Sequence, residues 1–164
     1  MRLVVNRRST ATLAALVMAL VPAAAAHAAP AKNVRTYDKN MLRYVNAART
    51  NHGLKPLKES AGLYAVAHSR AAFLAKHNAV GHPPNLGPQV QAKCPKMRTV
   101  GENSGAQGKT SAHKMFELYK ASPIHWANII SPDFGYVGIA TIKVPNGDGT
   151  AAEYDVMDFA DHCA

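Results

Sequence analysis

The segment Tyr136–Val144 is apolar on both alternating faces, with Val137 and Ile139 on one side and Ala140 and Ile142 on the other. A strand that buries both faces must lie between two layers of other structure. Asn146-Gly147-Asp148-Gly149 has the chemistry of a hairpin turn. Glu153–Ala160 then returns as a second strand with apolar Tyr154, Val156, Met157 and Phe159. The rest of the chain must supply the two covering layers.

It does so with helices. Tyr37, Met41, Tyr44, Val45 and Ala48 share one helical face over residues 36–52, with Thr36 to cap the start and Gly53 to end it. Pro56 disfavours helix at Lys55, so Leu54-Lys55-Pro56-Leu57 reads as a short extended connector. Ser60 caps a second helix running to about residue 78, with Leu63, Val66, Ala67, Ala71 and Leu74 as its stripe. Residues 79–100, with Pro83, Pro84, Pro88 and Pro95, read as a long loop, which in a small domain is functional or pinned. Thr110 opens a third helix, with Ala112, Met115, Phe116 and Tyr119 facing inward, which stops before Pro123. His125–Ile130 reads as one helical turn ended by Pro132. Helices first and a hairpin last predict an α+β sandwich with helices on both sides of a sheet.

Residues 1–28 have the layout of a secretory signal peptide. Arg2, Arg7 and Arg8 precede an apolar stretch from Ala11 to Leu20, and Ala26-His27-Ala28 offers a small-x-small cleavage site. The apolar run falls short of the ~20 residues that span a bilayer. Residues 29–35 read as a flexible leader and 36–164 as one domain. Without Arg2, Arg7 and Arg8, 16 basic residues stand against 10 acidic ones, a net charge of +6. Such a surface can adhere to acidic envelope polymers or serve only solubility. The basic residues are scattered with no aromatic ladder, which argues against nucleic-acid binding. The expected form is a secreted monomer without an integral membrane segment. Cys94 and Cys163 are the two cysteines, and in an exported chain an even count favours a disulfide over two independent thiols. Closing so long a segment stabilises by roughly 4 kcal/mol in the loop-entropy account.

Three short segments carry the candidate chemistry: Gly81-His82-Pro83, Gly101-Glu102-Asn103 and Ser122-Pro123-Ile124-His125-Trp126-Ala127-Asn128-Ile129. They are expected to bring two imidazoles and one carboxylate together from three loops. With Val45-Asn46-Ala47-Ala48-Arg49, Leu54-Lys55-Pro56-Leu57, Leu63, Ala67, His68 and Tyr136-Val137-Gly138-Ile139 in this order, the chain resembles the CAP superfamily of SCP-like extracellular domains. The likeness runs from about Asp38 to Phe159. It implies a three-layer α–β–α sandwich, with helices flanking a small, mainly antiparallel sheet and a solvent-facing cleft. Larger relatives place two His and two Glu in that cleft. His82, Glu102 and His125 match three of them. The second Glu has no counterpart, Ser122 stands about where it belongs, and Tyr119 replaces a Trp. The family's activities include sterol or lipid binding, divalent-metal binding and, rarely, proteolysis.

Several chemistries remain open for these residues. His82 and His125 can ligate zinc or another divalent metal, but two imidazoles are too few for a closed structural site. Glu102 can orient an imidazole or act as a base on bound water. The competing reading is a hydrogen-bonded cluster that only shapes the cleft, with Asn103 and Asn128 satisfying backbone groups. Ser104 and Ser122 raise a Ser-based hydrolase, although no Gly-x-Ser-x-Gly elbow is present. His52, His68, His77 and His113 read as surface or packing residues and His162 as part of the tail. Asp155 and Asp158 lie on the second strand, where their spacing selects neither. The favoured role is non-catalytic binding of a small apolar molecule or an envelope component. The rivals are a metal-assisted or Ser-based hydrolase, with His82, Glu102 and His125 as its catalytic groups, and an interaction protein with a vestigial cleft.

Overall fold

The computed structural model describes residues 32–108, 110–146 and 151–163. The expected signal peptide lies outside the described residues, as does the tip of the expected hairpin turn at 147–149. The elements are α1 (Lys32–Asn51), β1 (Lys58–Glu59), α2 (Ala61–His77), α3 (Leu86–Gln91), β2 (Val100–Gly108), α4 (Ala112–Ala121), α5 (Pro123–Ile129), β3 (Tyr136–Pro145) and β4 (Ala151–Ala160). The sheet order is β1-β3-β4-β2, with β1 parallel to β3 and the other pairs antiparallel.

Strand β3 lies inside the sheet, as its two apolar faces require. On one side Val137, Ile139, Met157 and Phe159 pack with Met41 and Val45 of α1, Met115 and Phe116 of α4 and Ile129 of α5. On the other, Ala140, Tyr154 and Val156 pack with Ala67, Ala71 and Leu74 of α2. The expected α–β–α sandwich is therefore present. Helix α2 sits so close that a Cβ added to Gly138 would come 2.1 Å from the Tyr64 backbone nitrogen.

Side chains from the first helix pin the connections. Asn46 donates to the Leu57 carbonyl (3.1 Å) and accepts from its N–H (2.8 Å), so its amide stands in for a neighbouring strand. Arg49 is buried, and its guanidinium donates to the carbonyls of Lys55, Ile129, Ser131 and Phe134 at 2.8–3.0 Å. It thereby takes up carbonyls at and beyond the end of α5, where helical acceptors lack partners. Ser60 caps α2 by accepting from Leu63 N–H, as expected. The Cys94–Cys163 disulfide forms, with Cα atoms 4.7 Å apart, and ties the 79–100 segment to the C-terminus.

Four boundaries differ from expectation. Helix α1 starts at Lys32, ahead of Thr36. Helix α4 starts at Ala112 behind a Ser111 cap, not at Thr110. Helix α5 takes Pro123 into its first turn, where the missing N–H costs nothing. Residues 79–100 are not all loop, because α3 forms within them. The larger correction is β2. Gly101-Glu102-Asn103 lies on an edge strand rather than a loop, because its whole backbone from Val100 to Gly108 pairs with Ala160 to Ala152 of β4.

Candidate functional site

The site forms at the β2 edge of the sheet, with α2 covering one face and α4 and α5 the other. Side chains alternate along β2, so Glu102 points to the α2 side and Asn103 to the α4/α5 side. Gly101 precedes them because a Cβ there would come 2.8 Å from the Phe134 ring and 3.0 Å from Asn128 Oδ1.

On the α2 side, His82 Nδ1 lies 2.7 Å from Glu102 Oε1. His82 follows Gly81, whose φ of +123° suits glycine. The Gly81 carbonyl accepts from both Arg70 and Ser104 Oγ. Its turn is thus held from α2 and from β2, and His82 is aimed at the carboxylate. Glu102 is buried, while the His82 side chain is 52% exposed. Burial pushes the Glu102 carboxyl above its ordinary pKa; the His82 hydrogen bond and charge, then Arg70, pull it back. With Glu102 ionised, Nδ1 is the donor, and the neutral form of the ring then presents the Nε2 lone pair, the tautomer a metal ligand or general base needs.

On the other side, Asn103 donates to the His125 backbone carbonyl (3.0 Å). Asn128 donates to the Glu102 carbonyl (3.1 Å) and to Asn103 Oδ1 (2.9 Å). The two amides fasten α5 to the strand, the backbone-satisfying role expected of them. The His125 ring packs edge-on against Tyr119 at 5.1 Å. Burial, and then the charge of His82, lower its pKa. His125 therefore stays neutral to lower pH than an ordinary imidazole, and the two rings are near enough to interact electrostatically.

Of the three expected residues, His82 and Glu102 are in contact and His125 is linked to them only through its electrostatic interaction with His82; they come from a loop, a strand and a helix rather than from three loops. Ser122 caps the junction of α4 and α5 without a side-chain cap bond. Among the described residues neither Ser104 nor Ser122 hydrogen-bonds an imidazole, and no group of three or more His, Cys, Asp or Glu is arranged to hold a metal. A metal here would take His82 and His125 and draw its remaining ligands from elsewhere.

The sequence did not single out Asp158. Its register partner across β2 is Glu102 and across β3 is Gly138, so it lies beneath α2 beside Glu102. It is fully buried, and neither carboxyl oxygen has a hydrogen-bond partner. Glu102 Oε2 and Arg70 Nε likewise lack hydrogen-bond partners, although they form an ion pair with each other at 3.9 Å. Burial, and then the Glu102 charge, raise the Asp158 pKa to about 8 despite Arg70. A second carboxyl therefore accompanies Glu102, from a strand rather than from the position of Ser122. Its one signal was an acidic residue set among the apolar Val156, Met157, Phe159 and Ala160 of the strand.

Beside His82, the 79–89 segment and α2 enclose a groove of about 480 Å³. Phe73, Leu74, Val80, Pro83 and Pro84 supply its apolar lining, and Ser69, Arg70, His82, Asn85 and Gln89 its polar lining. Phe73 and Val80 are 50% and 66% exposed. No described helix is long and apolar enough to cross a membrane.

The profile of the cysteine-rich secretory protein family, CAP, matches residues 42–159. The uncharacterized protein YkwD of Bacillus subtilis is 27% identical over 115 residues, covering 68% of this chain and 44% of the relative. An outer surface protein of Borrelia burgdorferi superposes with a TM-score of 0.66 at 16% identity, over 79% of this chain and 95% of that one. A cysteine-rich secretory protein of Staphylococcus aureus gives 0.65 at 19% identity, over 80% and 40%. The chain thus spans less than half the length of the Bacillus and Staphylococcus proteins. At these identities the structural likenesses speak to the fold alone.

Proposed function

Because this chain belongs to the cysteine-rich secretory protein (CAP) family, we propose that it is a secreted binding module that takes a small, largely apolar molecule or an envelope component. The observation that carries this reading is the groove beside His82. Its volume of about 480 Å³ falls within the ~300–1,000 Å³ of small-molecule sites, and its lining sets Phe73, Leu74, Val80, Pro83 and Pro84 beside polar Ser69, Arg70, His82, Asn85 and Gln89. Arg70 and His82 suit it to a ligand that also carries a polar or anionic group. Export follows from the signal-like N-terminus. Fluorescence titration with a fluorescent sterol and a fluorescent long-chain fatty acid tests the reading. Saturable binding of either by the parent chain, weakened at least tenfold in Val80→Arg, is expected. Failure of both probes to bind, or equal binding by the variant, overturns it.

The bond between His82 and Glu102 favours a second, compatible reading, in which His82 and His125 share one divalent ion. A carboxylate on Nδ1 orients the ring and strengthens Nε2 as a ligand. Only two protein nitrogens bind, so affinity is modest and falls as the imidazoles protonate. Bound there, the ion would polarise a carbonyl or activate water, the chemistry of the hydrolase alternative. Zinc calorimetry comparing the parent chain with His125→Ala is the test. Heat that is lost in the variant supports the site, and equal binding removes it.

A further inference from the structure

The layer opposite α2 contains a hydrogen-bond chain whose atoms cannot be satisfied without one extra proton. Thr141 Oγ1 on β3 lies 2.8 Å from Asp38 Oδ1 on α1 and 3.1 Å from Asp155 Oδ2 on β4. Tyr119 on α4 donates to the other Asp155 oxygen at 2.8 Å. Asp155 and Thr141 are 0% and 2% exposed and Asp38 8%. A threonine hydroxyl carries one hydrogen, and an ionised carboxylate can only accept. If both aspartates were ionised, Thr141 could serve one, and the other would press a buried anion against an oxygen lone pair. Both contacts are hydrogen bonds only when one carboxyl is an acid that donates to Thr141 while Thr141 donates to the other.

We propose that Asp38, Thr141 and Asp155 hold one shared proton that locks α1 and α4 to the sheet, and that the lock opens when this proton leaves. The surroundings agree. Burial raises Asp38 to about 7 and Asp155 to about 6, against the pull of their hydrogen bonds. Asp38 also faces Arg35, Glu59, Tyr37 and Tyr64, and Asp155 also faces Glu153, which pairs with Lys143, and Tyr37. Among the described residues, the one basic group that lowers either carboxyl, Arg35, acts on Asp38 alone. Asp38 also borders a surface pocket of about 240 Å³ lined by Arg35 and Lys39. Once both acids are ionised, that pocket receives the Asp38 carboxylate and Thr141 remains with Asp155. The N-terminal half of α1 then loses its polar anchor.

The sign follows from linkage. A carboxyl whose folded pKa is raised contributes stability that is complete below the unfolded value of ~3.9 and is lost as pH rises through the folded value, here about 6–7. Asp38→Asn supplies the missing hydrogen permanently, because its amide donates to Thr141, Thr141 donates to an ionised Asp155, and position 38 no longer titrates. Urea unfolding of the full chain and of Asp38→Asn between pH 4 and 8 therefore separates them. The parent chain should bind about one proton more on folding than the variant does between pH ~4 and ~6, and the variant should gain relative stability across that window. Identical pH slopes overturn the proposal. Should the variant not fold, carbon-13 NMR of the parent's aspartate carboxyls reads the same proton. One loss near pH 6–7 spread over Asp38 and Asp155 supports it. Ordinary titration of both near ~4 refutes it.

Discussion

Asp155 and Asp158 lie three residues apart on β4, fully buried on opposite faces of the same sheet. Asp155 is held by Tyr119 and Thr141. Asp158 has no hydrogen-bond partner at either oxygen, although Arg70 and Glu102 are its electrostatic neighbours. Burial raises both pKa values, but the partnered acid rises to about 6 and the unpartnered one to about 8. The difference separates two uses of a buried acid. On the α1/α4 face it is a fastener whose bonds join helices to strands. On the α2 face it stands behind Glu102, the one carboxylate that touches His82, and adds no countercharge while it stays protonated. The two faces also pack differently, through long side chains on one and through backbone contact at Gly138 on the other.

Gly138→Ala breaks the comparison most severely. A methyl 2.1 Å from the Tyr64 nitrogen meets backbone, which no rotamer can relieve. Helix α2 must lift, taking Arg70 off the Gly81 turn. A loss of roughly 3 kcal/mol or more is expected in chemical denaturation. The equivalent change on the other face, Ile139→Val, trims one methylene from side-chain packing and should cost only ~0.5–1.5 kcal/mol.

Next in size is Tyr119→Phe. It removes the donor to Asp155 and leaves a buried carboxyl oxygen unpaired, for a loss of about 1–3 kcal/mol. Since the Tyr119 ring also backs His125, the His125 NMR resonances should shift while those of His82 hold. Equal shifts at both rings would show that the two faces are not separate units.

Much of this division was legible in the sequence. The doubly apolar β3, the stripe of α2 and the cap at Ser60 are local patterns of period and side-chain chemistry, and they led to the layered α+β fold. The pairing of His82 with Glu102 was legible through the family resemblance, and that of Cys94 with Cys163 through their even count. Strand β2 was not. Its Gly-Glu-Asn-Ser-Gly run has neither β-branched residues nor alternation, and only pairing with a distant β4 makes it a strand. Asp158 was missed for the same reason, because its nearness to Glu102 is a register fact created by that pairing. Arg49 was visible as a motif residue, but its four carbonyl partners lie on segments up to 85 positions away.

Asp158→Asn gives the smallest effect at acid pH and the sharpest test of the comparison. Asparagine imitates the protonated acid in size and charge. If Asp158 is neutral in the fold, the variant resembles the parent near pH 4. With a folded pKa raised to about 8, the parent loses stability steadily as pH climbs from ~4 toward 8, because the unfolded chain releases a proton that the folded chain retains. The variant has no such proton, so its stability relative to the parent should rise across the same interval and level off above about 8. Asp155→Asn should level off earlier, near pH 6, and should lose stability at every pH if its amide turns a donor toward Tyr119. Urea midpoints at unit steps from pH 4 to 9 distinguish the two curves. An Asp158→Asn variant that is less stable than the parent at pH 7 would mean an ionised Asp158 paired with Arg70. The α2 face would then be fastened like its opposite, by a bonded charge rather than by a neutral acid.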